Sequence, residues 1–232
     1  MPNSKAADSF TTRHLKRLGG LVFGRHMHQV RTVIEREIVG QCESVLDLGC
    51  GSDSVIGSIK DRLSRSVGTD LFDPSLELSR QKRLHHEYFN IDVLEAADQF
   101  GPDSFDCVVA IDLIEHLERD DGLRLIEQME MMARIKVIIF TPNGFVPQEP
   151  FDGNQWQRHI SGWGVDEMRD RGYKVIGING WKPLRGEFAR VRWWPKSLWN
   201  VISIISQLFT TRNPAHAFQL LCVKQMRGAS TP

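Results

Sequence analysis

The chain has 232 residues, 41% hydrophobic and 25% charged, enough apolar material to close a full core, so disorder as the ground state is excluded. Lysine plus arginine equal aspartate plus glutamate at 29 each, which leaves no global field to attract nucleic acid or an anionic surface and confines any such contact to a local patch. Four cysteines, Cys42, Cys50, Cys107 and Cys222, form no CxxC pair, and neither a secretory leader nor a membrane span is expected, so the composition points to a reducing, cytoplasmic setting.

Residues 1–40 read as a polar start running into a covering helix, with Val30, Val33, Ile34 and Ile38 at helical spacing. From 41 to 180 short apolar runs alternate with amphipathic segments: Ser44–Leu48, Arg65–Asp70, Tyr88–Ile91, Phe105–Ile111 and Ile135–Phe140. Runs of this length, rich in Val and Ile, predict a doubly wound α/β fold whose mostly parallel sheet is covered on both faces. Between the fourth and fifth runs Leu113, Leu117, Leu123, Leu125, Ile126, Met129 and Met132 predict one long helix, with its methionines in the core. Thr141-Pro142-Asn143-Gly144 is expected to stop the fifth strand. The segment that follows, FVPQEPFDGNQWQRHISGWG, is longer than a loop without a job. Val165–Arg171 predicts a helix ended by Gly172, and Tyr173–Ile178 a sixth strand. Residues 181–216 form an insertion, and 217–232 hold the last strand, Phe218–Lys224, and a tail.

The stretch VLDLGCGSDS, residues 45–54, places Gly49 and Gly51 just past the first strand, where a turn approaches a ligand most closely in an open α/β sheet. At the end of the second run, in VGTDLFD, Asp70 stands where an acid can accept hydrogen bonds from both hydroxyls of a ribose. After the third, in NIDVLE, Asp92 stands where a carboxylate can accept from an exocyclic adenine amine. Either acid alone could be a helix cap or a surface residue. A dinucleotide cofactor is the competing reading, but Ser54 occupies the third glycine position of GxGxxG and no second substrate domain follows.

Together with FDCVVAIDLIEHL and VIIFTPNG, in this order and spacing, these motifs resemble the class I S-adenosylmethionine-dependent methyltransferases over roughly residues 43–178. The resemblance implies a Rossmann-like, seven-stranded sheet with an antiparallel last strand and S-adenosyl-L-methionine as cofactor. It implies that Gly49 and Gly51 pass under the methionine part of the cofactor, that Asp47 lies beside its amino group, and that Asp70 meets the ribose. Leu71 is then expected on the adenine, Asp92 near the adenine amine, and Asp112 and Leu113 near the methionine end, with His116 at the mouth of the site. Asp53 departs from the pattern, standing where many members have a third glycine.

Methyl transfer to a hydroxyl needs alignment, exclusion of water and removal of a proton, a task that suits histidine. His116 and His159 are the candidates, and Asn154, Trp156, Arg158 and His159 of the long loop are expected to contact the acceptor. No set of Cys, His and carboxylate residues has metal-ligand spacing along the chain, and no metal is expected. In the insertion, cations lie next to Trp193, Trp194 and Trp199 ahead of an apolar segment with Asn200, Ser203, Ser206 and Gln207 on one stripe. That composition fits peripheral membrane contact through 190–209, but a helix packed on the sheet or on a partner subunit is the favoured reading. The expected function is O-methylation of a small-molecule or lipid-linked acceptor, a sugar or quinone-like lipid; a non-catalytic binding scaffold and an NAD-dependent oxidoreductase are the alternatives. Zero net charge and the absence of an Asn-Pro-Pro-aromatic motif speak against nucleic acid.

Overall fold

The computed structural model describes residues 30–150 and 154–226. The polar start before residue 30 and the tail from 227 lie outside the described residues. Seven strands form one sheet in the order β3-β2-β1-β4-β5-β7-β6. They are β1 Ser44–Leu48, β2 Arg65–Thr69, β3 Glu87–Phe89, β4 Phe105–Ile111, β5 Ala133–Pro142, β6 Lys174–Trp181 and β7 Ala217–Gln225. All pair in parallel except β7, which runs antiparallel to both β5 and β6. The expected antiparallel last strand is therefore present, inserted between the two strands that precede it.

Alternation along each strand divides the core into two layers. In β4, Val108 and Ala110 join a cluster with Leu125, Ile126, Met129 and Met132 of α4 (Arg119–Met132), so the methionines are core residues. Cys107 and Val109 join the opposite cluster, with Val30, Ile34 and Ile38 of α1, helical over residues 30–38. The remaining helices are α2 Asp73–Gln81, α3 Ala96–Phe100, α5 Val165–Asp170 and α6 Lys196–Thr210. The four cysteines are buried free thiols, small hydrophobes rather than a redox framework.

Two expectations need correction. The fifth strand does not stop before Pro142, which still pairs with Gln219 of β7 as the strand's last residue. The fourth helix does not begin at Leu113 but at Arg119, and Glu115 and His116 lie on a separate 3-10 turn, Ile114–His116. The reason is competition for carbonyls: Ile160 N and Ser161 N donate to Glu115 O, and the Trp163 Nε1–H donates to Ile114 O. A continuous α-helix would have used both acceptors.

One buried charge anchors α1. Lys136 Nζ, fully buried on β5, donates to Glu37 Oε2 at 2.9 Å, to Glu37 O and to Gln41 Oε1. Removing only the anion leaves a cation in the core, so Glu37→Ala is expected to cost about 3 kcal/mol or more. Lys136→Met, which removes the buried charge itself, is expected to cost less. Urea midpoints of the two variants check the order.

Candidate active site

From β1 the chain winds outward through β2 and β3 and then returns to β4 on the other side, so the strand order reverses between β1 and β4. Ligands bind at the carboxyl ends of the strands at such a switch point. Gly49 and Gly51 stand there at φ +64° and +57°, a backbone region that L side chains resist. A Cβ on Gly51 would meet nothing within 4 Å, whereas one on Gly49 would lie 2.6 Å from Leu113 Cδ1. The fold thus brings the β1 and β4 loops into contact at two of the residues expected to hold the cofactor.

At the end of β2, Asp70 Oδ2 accepts from Gly51 N at 2.9 Å and Oδ1 from Phe72 N at 2.8 Å. Burial, ahead of those two hydrogen bonds, holds its carboxyl above the usual range. Asn90 Nδ2 donates to the carbonyls of Asp70 and Leu71 and so fixes the turn on which the half-exposed Leu71 is presented. Asp92 caps the following turn, its Oδ1 accepting from Leu94 N. Positive-φ glycines on one side and a carboxylate with spare lone pairs on the other fit the methionine and ribose parts of S-adenosylmethionine.

Asp47 has a different set of partners. Its carboxylate is 2% exposed, and Oδ2 accepts from Ser54 Oγ at 2.5 Å and faces His85 Nε2 at 3.0 Å. This frame holds the glycine loop from beneath. His85 is not among the residues expected to hold cofactor or acceptor. Its ring presses on Gly68, where a Cβ would come within 2.7 Å of Nδ1; a glycine inside a strand was the one signal for it. Asp53 is turned away toward Lys82, Oδ1 to Nζ 2.5 Å.

Beyond β4, Asp112 adopts φ +48°, and its Oδ1 accepts from Gln219 Nε2 at 3.0 Å. Burial pushes its pKa up to about 7. If Asp112 faces the cofactor's ammonium, affinity must follow its ionised fraction: S-adenosylhomocysteine should bind several-fold tighter at pH 7.5 than at pH 6, both below the pH at which the ligand's own amine loses its proton. In Asp112→Asn that pH dependence should vanish; calorimetric titration at the two pH values measures it.

The long loop is pinned by Trp163, whose fully buried ring stacks under the Arg119 guanidinium at 4.1 Å. Its descent carries His159 onto His116, ring centroids 4.8 Å apart. His116 Nδ1 donates to Arg158 O at 3.0 Å and His159 Nδ1 to Val146 O at 2.7 Å, which leaves both Nε2 atoms as lone pairs. Burial drives His116 down to about 4 and lowers His159 as well, so both are neutral at pH 7. Beside them Glu115 is fully buried: Oε2 accepts from Thr141 Oγ1, and Oε1 has no partner among the described residues. Burial and then the nearby Asp112 hold its carboxyl well above the usual range. Ligand atoms of Glu115, His116 and His159 lie within 4.8 Å of one another. Spacing along the chain could not show this set, because His159 arrives from a loop 43 residues downstream of His116. Arg158 and Trp156 are exposed near the cluster, and Asn154 Oδ1 caps the turn that carries Trp156.

Comparison with known proteins identifies the family and the fold. A family described as a methyltransferase domain matches residues 46–135. A ubiquinone biosynthesis O-methyltransferase of Idiomarina loihiensis is 33% identical over 165 residues, covering 62% of this chain and 68% of the relative. Among solved structures, an S-adenosylmethionine-dependent methyltransferase from Archaeoglobus fulgidus superposes with a TM-score of 0.58 at 16% identity, over 90% of this chain and 99% of that one. The YcgJ protein of Bacillus subtilis gives 0.57 at 13% identity, over 88% and 100%. At such identities the structures speak for the fold alone, while the sequence relative and the family match carry the assignment. The chain belongs to the S-adenosylmethionine-dependent methyltransferases, and is an enzyme of the methyl-transferring class with S-adenosylmethionine as its cofactor.

Proposed function

We propose that the chain methylates a hydroxyl oxygen of a small or lipid-linked acceptor, such as a sugar or a quinone-like lipid, received between His116 and His159. The observation that carries this is the pair of adjacent neutral imidazoles, each with Nδ1–H tied to a carbonyl and Nε2 left to accept a proton. When bound, S-adenosylmethionine supplies a methyl carbon on a cationic sulfur, an already activated donor. The glycine loop, Asp70 and Asp112 hold and orient that donor, the loop around Trp163 excludes water, and an Nε2 takes the proton of the attacking hydroxyl. The oxygen preference is supported by the name of the Idiomarina relative, which also belongs to the biosynthesis of a lipid-tailed quinone. A lipid-linked acceptor would place the chemistry at a membrane surface, and the apolar insertion through 190–209 supports that placement. Incubation with methyl-labelled donor and a panel of catechols, quinol precursors and glycans tests the reading. A labelled O-methyl product that is lost in His159→Ala is expected; label on nitrogen or carbon only would contradict it.

A second reading rests on the unpartnered Glu115 Oε1. Glu115, His116 and His159 make a three-residue set for a divalent cation, and the Nδ1–H···O=C bonds are the outer hydrogen bonds that orient metal-binding histidines. A cation there would hold the acceptor oxygen and favour its ionised form. Dialysis against a chelator separates the two readings. A site that works through the imidazoles alone keeps its turnover, whereas a cation-dependent one loses it and recovers with added Mg²⁺, Mn²⁺ or Zn²⁺.

A further inference from the structure

A surface helix ordinarily turns its apolar stripe to the core. The last helix, α6, does the reverse. Its inward side chains are Ser203, Ser206, Gln207 and Thr210, packed on β6 at the edge of the sheet. There they satisfy the edge strand's backbone: Gly180 N donates to Gln207 Oε1 at 2.8 Å, Trp181 N to Ser206 Oγ at 2.9 Å, and Gln207 Nε2 to Gly177 O at 2.7 Å. Glycines at 177 and 180 allow this approach, since a Cβ at either would strike the helix backbone. Covering an edge strand explains the polar stripe. It leaves Leu198, Val201, Ile204, Ile205, Leu208 and Phe209 facing outward, Ile205 at 62% and Leu208 at 80% exposure, with Trp194 at 85% just before the helix.

Charge identifies what covers this face. Residues 181–216 hold six Lys and Arg against one acid, Glu187, in a chain whose charges balance only overall, so the rest of it is net negative. Arg190, Arg192 and Lys196 precede or open the helix and Arg212 follows it, all at the surface, so cations flank the apolar face at both ends. Among the described residues no helix is long and apolar enough to cross a membrane, and fifteen residues measure about 22 Å. We propose that α6 and the preceding tryptophans lie in the headgroup layer of a bilayer that contains anionic lipid, apolar face inward and cations on the phosphates. A second copy of the same face would bring like charges together. Residues 1–29, with five Lys and Arg against Asp8, carry the same sign and suit the face no better.

The insertion is also tied to the site's edge. Asn143, next after β5, donates from Nδ2 to Ala217 O and accepts at its carbonyl from Lys182 Nζ, while Gln219 on β7 holds Asp112. A bilayer against α6 therefore lies beside the edge where the acceptor is methylated. This deepens the lipid-linked reading and rests on it for its purpose, but its test uses no acceptor.

The full chain is sedimented with vesicles of phosphatidylcholine alone and of phosphatidylcholine with phosphatidylglycerol. Binding to the mixed vesicles only, weakening with salt, and a loss of tenfold or more in Ile205→Asp/Leu208→Asp are expected, with S-adenosylhomocysteine affinity of that variant unchanged as the sign of an intact fold. No binding to either vesicle, or equal binding by the double variant, would overturn the docking face. So would a dimer in size-exclusion chromatography that the double variant dissolves, which would give the face to a second copy. Failure here leaves methyl transfer to a soluble acceptor standing, and lipid binding without any transfer would sink the O-methylation reading alone.

Discussion

Asp70→Ala is expected to weaken S-adenosylhomocysteine binding by tenfold to roughly a hundredfold. One carboxylate does two jobs at the end of β2. It fixes the loops by accepting from Gly51 N and Phe72 N, and its remaining lone pairs face the region where a ribose would lie. Loss of charged hydrogen bonds costs about 1.5–3 kcal/mol, and about 1.4 kcal/mol is a factor of ten in affinity. Asp70→Asn, which keeps the shape and one acceptor oxygen, should fall between the two. Calorimetry on folded variants measures all three, and wild-type affinity in Asp70→Ala would show that the ribose is held elsewhere.

On the proposed reading, in which its ring meets the acceptor and not the loops of β1 and β2, His116→Ala is expected to lower kcat by about a hundredfold or more, the range of a lost proton-transfer group, and to change S-adenosylhomocysteine affinity by less than about threefold. Steady-state rates with an O-acceptor, set beside the binding titration, read the two quantities separately. The neighbouring imidazole of His159 cannot move into its place, since its own Nδ1 is tied to Val146 O. Full turnover in His116→Ala would remove this histidine from the chemistry under both readings of the site.

Much of this is legible in the sequence. The strands of the sheet follow from short Val- and Ile-rich runs, and Gly49, Gly51 and Asp70 from their places at strand ends, because local sequence decides both. What escaped depends on contacts between distant segments. The 3-10 turn that presents Glu115 and His116 exists because residues 160–163 claim its carbonyls, and nothing between Leu113 and Met132 announces that. The pairing of His116 with His159 has the same origin. Nothing in the local sequence gives His85 a role, yet the topology sets it under the glycine loop on Asp47. For α6 the polar stripe was visible in the spacing of Ser203, Ser206 and Gln207, but periodicity gives the amplitude of a stripe and not the direction it faces. Only the edge position of β6, with backbone groups in need of partners, turns it inward.

Calorimetric titration of the purified chain with S-adenosylhomocysteine, with NAD as the control, tests the central claim most directly. Micromolar binding of S-adenosylhomocysteine and none of NAD is the predicted result; binding of NAD, or of neither, would contradict a cofactor site built from Gly49, Gly51, Asp70 and Asp112.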